Sequence, residues 1–244
     1  MDLKIKDVAE LLNVSETTIR RWLTEGKIPA YRINSQYRFS RVEIENWVMG
    51  QRLNREEKTK FTTLEPDLTC SLQGGIKQFS LYRAIHKGQV YHQIEGDTKE
   101  EVIRQTMKRG AQDLGLDADV IADLLLDREK LMATSLNHGI GVPHTRDFYL
   151  SPYQDSVIVV FLKKPIDYGA LDEQPVHTLF FLFASDDKQH LNLLAKIAHL
   201  SSLAKSREFF EGRPEKSAMM EYIKDWEGTL LAPKSAAKKE PVAS

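Results

Sequence analysis

Residues 127–147 read Asp-Arg-Glu-Lys-Leu-Met-Ala-Thr-Ser-Leu-Asn-His-Gly-Ile-Gly-Val-Pro-His-Thr-Arg-Asp, and three side chains in this run could do chemistry together. His144 carries an imidazole, largely unprotonated near neutral pH and so a capable nucleophile. Arg128 supplies a permanently charged fork that matches phosphate oxygens, and Thr134 supplies a hydroxyl. A nucleophilic histidine, an arginine and a threonine suffice to accept a phosphoryl group, because catalysis of that transfer is mostly positioning and charge neutralisation. Two other readings fit the same residues. His144 could be an ordinary histidine in a tight turn, or His138, His144 and His190 could hold a metal, although neither a cysteine nor an acidic cluster accompanies them.

The local backbone must display His144. Pro143 has a fixed φ and drives Val142 into extended geometry, so Ile140 to Val142 should end a strand. His144 then falls just past the strand end, where functional side chains are commonly presented. Gly139 and Gly141 should keep the surroundings low enough for another molecule's backbone to approach.

The chain of 244 residues is long enough for two domains, and its formal net charge of −1 excludes a global basic field. Any nucleic-acid binding must come from a local patch. No apolar run approaches the ~18 residues that span a bilayer, and Met1-Asp2-Leu3-Lys4 does not open a signal peptide. Cys70 is the single cysteine, which excludes an intrachain disulfide. A cytoplasmic protein with no membrane association is expected.

Residues 1–50 form a module with its own core. Ile5, Val8, Ala9 and Leu12 recur at helical spacing, and Ser15 should cap a second helix, Glu16 to Thr24. On that helix Ile19, Trp22 and Leu23 make the apolar side, leaving Thr17, Thr18, Arg20 and Arg21 to solvent. Two short helices around a tight turn make a helix-turn-helix, whose second helix enters a major groove. Tyr31 to Phe39 alternates around Asn34-Ser35 and reads as a hairpin or wing, and Ser40 with Glu43 forms a capping box for a third helix through Ile44, Trp47 and Val48. Residues 17–41 hold Arg20, Arg21, Lys27, Arg32, Arg38 and Arg41 against Glu25, a net of +5, while Asp2, Asp7, Glu10, Glu43 and Glu45 lie elsewhere. That asymmetry suits phosphate contacts, with Thr17, Thr18, Arg20, Arg21, Arg32 and Arg38 as the DNA-binding candidates. A basic face on a protein-binding module is the alternative.

Residues 51–77 are polar and aperiodic and read as a linker. Beyond them the pattern alternates. A helix near Phe79 to His86 precedes a strand from Gln89 to Ile94, and Asp97 with Glu100 should cap a helix that Gly115 stops. Asp117 opens a helix carrying Val120, Ile121, Leu124 and Leu125 and ending near Arg128. Val157 to Leu162 and Thr178 to Phe183 are near-continuous apolar runs, as in strands covered on both faces. Asp186-Asp187 then start a helix with His190 in its first turn, where free N–H groups and the dipole favour an anion. Helices at Arg207 to Phe210 and from Pro214 to Trp226 complete an α/β fold, a three-layer α/β/α sandwich with a mixed sheet, and residues 229–244 read as a disordered tail.

Two resemblances sharpen this reading. Arg-Glu-Lys-Leu, Thr134, Gly-Ile-Gly-Val-Pro-His, Lys164-Pro-Ile-Asp-Tyr-Gly-Ala-Leu-Asp-Glu-Gln-Pro-Val and Asp186-Asp-Lys-Gln-His-Leu together resemble the type-2 enzyme IIA domains of the bacterial phosphotransferase system, over about residues 78–228. These serve its fructose, mannitol and nitrogen-regulatory branches. The resemblance implies that His144 carries a phosphoryl group received from a phosphohistidine carrier protein, with His190 beside it and Arg128 and Thr134 completing the site. It implies a phosphohistidine carrier rather than a turnover enzyme, with no cofactor and no metal. The order helix, turn, helix, Gly26-Lys-Ile-Pro, wing, helix is similar to excisionase and MerR-type winged helices over about residues 3–49. The expectation is a DNA-binding regulator with a phosphoacceptor half, a homodimer if its binding is specific. A sugar-uptake phosphocarrier serving a permease and an unphosphorylated interaction module are the alternatives.

Overall fold

The computed structural model describes residues 2–12, 14–53, 79–145, 150–151, 154–170 and 172–230. The segment read as a linker lies outside the described residues except for its first three, which continue a helix, and the tail lies outside them beyond Leu230.

The N-terminal module comprises β1 (Asp2–Leu3), α1 (Ile5–Leu12), α2 (Glu16–Thr24), β2 (Tyr31–Ile33), β3 (Gln36–Ser40) and α3 (Arg41–Leu53). Ser15 accepts from the Thr18 amide as the N-cap of α2. The wing turns on Asn34 and Ser35, both at positive φ, which matches the twist of a two-residue hairpin. β3 pairs antiparallel with β2 on one side and β1 on the other. Ile19, Phe39 and Ile44 are fully buried, and Trp47 donates from its indole N–H to the Lys27 carbonyl at 2.5 Å, tying α3 to the turn after α2.

The larger domain has a four-stranded sheet in the order β4 (Val90–Ile94), β6 (Ser156–Ile166), β7 (Val176–Phe183), β5 (Ile140–Gly141). β4 and β6 are parallel, β6 and β7 antiparallel, β7 and β5 parallel, so the sheet is mixed. Side chains of β6 alternate between two cores. Val157, Val159 and Phe161 face one layer, formed by α4 (Ser80–Lys87), α7 (Asp187–Ser202), α8 (Ala204–Glu211) and α9 (Lys216–Thr229). Ile158, Val160 and Leu162 face the other, formed by α5 (Lys99–Gly110) and α6 (Ala118–Leu131). Burial on both faces explains the continuous apolar run. The α/β/α sandwich with a mixed sheet is therefore the observed fold.

Several details differ from expectation. The cap of α5 is shifted by one residue: Thr98 accepts from the Glu101 amide, and Glu101 reaches back to the Asp97 amide. Asp97 with Glu100 and Thr98 with Glu101 satisfy the same three-residue spacing, so the pattern by itself does not choose between them. Val120 is 58% exposed, on the outer face of α6, and that helix runs past Arg128 to Leu131. Pro214 precedes Glu215, the residue before α9, and so lies outside the helix.

Residues 51–77 read as a linker between two modules, and α1 and α3 of the first module pack against α7 of the second. The core of the N-terminal module runs without a break into the α7 layer of the sandwich.

Candidate functional site

His144 is held by the backbone on both sides. The Val142 amide donates to the Thr134 carbonyl at 2.9 Å, and the Leu182 amide donates to the Pro143 carbonyl at 2.9 Å. His144 itself bridges Leu182 in parallel register, prolonging the line of β5 beside β7. Its ring Nδ1 lies 2.8 Å from the Val142 carbonyl, which can only accept, so Nδ1 carries the proton. Nε2 is then the unprotonated nitrogen. Arg128, from the last turn of α6, donates its Nε–H to that Nε2 at 3.1 Å and its Nη1–H to the Met132 carbonyl at 3.0 Å. His190 meets His144 edge-on, ring centroids 5.0 Å apart.

The structure thus brings together His144, His190 and Arg128. It does not display them: each is almost completely buried. The cover is Glu45, from α3 of the N-terminal module. Its Oε2 lies 3.6 Å from His144 Nε2 and 3.7 Å from Arg128 Nη2, and its Oε1 lies 3.5 Å from His190 Nε2 and 3.0 Å from Arg41 Nε. Arg41 is also ion-paired with Asp187 at the start of α7. Burial alone would push the Glu45 carboxyl up, but the neighbouring His144 and His190 outweigh it and hold the group well below the usual carboxylate range. Burial lowers His190, against the opposing pull of Glu45.

Thr134 is placed differently from expectation. Its hydroxyl donates to Glu129, and its amide donates to the same carboxylate at 3.1 Å. The hydroxyl proton that a phosphoryl oxygen would need is therefore already engaged. Sequence reasoning misses Glu129, although it is the second residue of the Arg-Glu-Lys run. Tyr168 is buried nearby; burial, then the Glu129 charge, raises its phenol well above the ordinary value. The first-turn amides of α7 are also partly used: Gln189 donates to the Asp186 carboxylate at 2.9 Å and His190 to the Asp186 carbonyl at 2.9 Å.

Gly139 and Gly141 do not open a path to a partner. A Cβ at Gly139 would run into the His177 ring, and one at Gly141 would lie 2.7 Å from Leu179, so both glycines permit close packing within the domain. Gly139 also has φ +72, which favours glycine.

Glu45, His144 and His190 offer ligand atoms all within 4.8 Å of one another, a set able to hold a metal. The Arg128 guanidinium, however, occupies the lone pair of His144 Nε2 and adds positive charge beside it. His138 is elsewhere, its amide donating to Asp172 at 2.6 Å.

On the other surface, Thr17, Arg20, Arg21 and Arg32 are exposed. Thr18 is half-buried, its hydroxyl 2.9 Å from that of Ser15, and so serves the cap of α2 rather than standing free in solvent. Arg32 lies over Tyr37, 5.1 Å from the ring centroid. Arg38 is half-buried and tied to Gln36 at 2.8 Å and to the Tyr37 carbonyl at 3.1 Å. Arg41 belongs to the interface between the halves, not to this face.

Fold and site together define a two-module protein, a helix-turn-helix module joined to an α/β/α domain with paired histidines at its sheet edge. The chain belongs to the family described as phosphoenolpyruvate-dependent sugar phosphotransferase system, EIIA 2, whose model matches residues 83–226. A helix-turn-helix domain model matches residues 3–52. The chain is similar to a nitrogen regulatory protein of Pseudomonas aeruginosa, 34% identical over 136 residues that span 54% of this chain and 86% of that protein. A nitrogen regulatory protein of Bradyrhizobium diazoefficiens is 31% identical over 111 residues, 44% of this chain and 70% of that protein. Among solved structures, nitrogen regulatory protein IIA-Ntr of Neisseria meningitidis shares the fold, with a TM-score of 0.51 at 21% identity, covering 59% of this chain and 98% of that one. Among the described residues, no helix is long and apolar enough to cross a membrane.

Proposed function

We propose that this protein is a DNA-binding regulator whose EIIA domain accepts a phosphoryl group on His144 Nε2 from a phosphohistidine carrier protein. The observation that carries the reading is the Nδ1–H bond to the Val142 carbonyl, which presents an unprotonated Nε2 beside the Arg128 guanidinium. In the transfer, a bond forms from Nε2 to phosphorus as the donor's nitrogen–phosphorus bond breaks. Nε2 has no proton to lose, so no base is needed; its lone pair is freed when the Arg128 Nε–H turns from it to the incoming phosphoryl oxygens. Arg128 neutralises charge on the phosphoryl oxygens, and His190 stands beside the His144 ring. Thr134 acts first through Glu129, and its hydroxyl joins the site only by turning from that carboxylate.

The relatives named as nitrogen regulatory proteins favour a regulatory role over sugar uptake. The decisive experiment incubates the protein with phosphoenolpyruvate and the general phosphotransferase proteins. Acid-labile, base-stable phosphate should appear on the peptide carrying His144. Phosphate on another residue, or none, overturns the proposal, and onward transfer to a permease domain would identify a phosphocarrier instead.

The winged, excisionase-like module supplies the DNA contacts, through Arg20 and Arg21 of α2 and Arg32 of the wing, and a homodimer provides enough contacts for a specific site. Removing one arginine–phosphate pair should reduce the slope of log K against log salt by about 0.9. Arg21→Ala with Arg32→Ala should therefore weaken binding and flatten that slope by nearly two for each bound protomer. Arg38→Ala should act less, because its guanidinium is anchored to the wing. Unchanged binding in the double variant, measured by salt titration, would make the module a protein-binding one.

A further inference from the structure

We infer that the N-terminal module is a lid on the phosphoacceptor site, closed by Glu45, and that phosphorylation of His144 and closure of the lid exclude each other. The inference rests on His144 being the phosphoacceptor. Its starting observation is that a carboxylate from the DNA-binding half occupies the space a phosphoryl group would need. Glu45 Oε2 is 3.6 Å from the nitrogen that would bond to phosphorus and 3.7 Å from the guanidinium that would bind the phosphoryl oxygens. The anion and its cationic partners are already assembled, with a carboxylate standing in for the phosphate.

The packing has three consequences. His144 has no exposed side-chain surface when the lid is closed, whereas a protein donor must bring its own phosphohistidine against Nε2. The lid must lift before transfer. After transfer, close to two negative charges would sit against the ionised Glu45 in a buried site, and repulsion there is screened far less than at the surface. The lid cannot close again. Third, Arg41 is shared between Glu45 and Asp187, so release of Glu45 also loosens α3 from α7.

Closure does not cover the DNA-binding residues, since Thr17, Arg20, Arg21 and Arg32 are exposed in the closed arrangement. The switch therefore changes where the module is held, not whether its recognition helix is accessible. Direct repulsion between phosphate and DNA is not required, and linkage demands reciprocity: a DNA site that favours the released module must also favour phosphorylation.

The test uses the full chain with the single cysteine removed by Cys70→Ser, and with Asn46→Cys and Met132→Cys introduced. These two side chains touch across the interface, Asn46 Nδ2 lying 2.8 Å from Met132 Sδ. A short thiol-specific crosslinker cleavable by reductant should join them. The joined protein should resist phosphoryl labelling, and reductant should restore it. Labelling before crosslinking should lower the crosslink yield. In a separate arm, Glu45→Gln and Glu45→Ala should label faster than the unsubstituted chain, by roughly 5- to 150-fold for coupling of ordinary size. Labelling of the joined protein at the reduced rate, or equal crosslinking of the phosphorylated and unphosphorylated forms, overturns the lid. Absence of labelling in every form overturns the phosphoacceptor reading and the switch built on it; the crosslink yield against a distant cysteine pair then decides the docking by itself.

Discussion

His144→Ala is expected to remove phosphoryl labelling entirely, whereas His190→Ala should slow it and leave the site usable. The difference follows from their hydrogen bonds. His144 presents its Nε2 because Nδ1 is committed to the Val142 carbonyl, and that nitrogen lies against the Arg128 guanidinium. His190 stands beside it, the ring centroids 5.0 Å apart, in a position to orient or stabilise. Arg128→Ala should lower the labelling rate by about 10²–10³-fold, the loss seen when a preorganised donor to a developing oxyanion is removed. Arg128→Lys should recover little, since a single ammonium cannot replace a planar fork bound to both His144 and the Met132 carbonyl. Rates from rapid-quench labelling, with thermal melts to verify folding, check the series. Undiminished labelling of His144→Ala would sink the assignment.

The second large effect is on stability. Lys196 of α7 and Glu227 of α9 form a buried ion pair at 2.6 Å. Glu227 also accepts from the Leu81 amide at 3.2 Å and the Tyr82 amide at 2.8 Å, so it caps α4, whose own preceding residue, Phe79, makes no side-chain cap. Lys196 and Asn192 both donate to Ser80, at 2.7 Å and 2.8 Å. Glu227→Ala takes the counter-charge from a buried ammonium and the acceptor from two amides, and should destabilise by about 3–5 kcal/mol. Lys196→Met with Glu227→Leu should be milder, because the pair's desolvation is relieved together with its attraction. Calorimetry should show the single variant melting well below the double one. Equal melting temperatures would mean the network contributes little.

Much of this molecule is written in local pattern. The helix-turn-helix, the wing turn at Asn34-Ser35 and the two buried central strands follow from periodicity and turn chemistry that neighbouring residues impose on one another. The run from Arg128 to His144 can be read for chemistry because Pro143 dictates its own backbone and that of Val142. Where local pattern misleads, the reason is often competition between equivalent solutions, as when Thr98 rather than Asp97 caps α5.

The tertiary structure decided what no local rule could. In the sequence Glu45 is one of two acids on a helix, and Arg41 one cation of a basic face. Only the packing of α3 on α7 turns both inward and sets the carboxylate between two histidines 99 and 145 positions further along the chain. Glu227 likewise reaches the start of α4 only because α9 lies against it. Spacing determines which residues share a helix face or a strand end, since those relations are set by bond geometry over a few residues. Which face meets which depends on the apolar surface that the whole chain can bury, and so on every element at once.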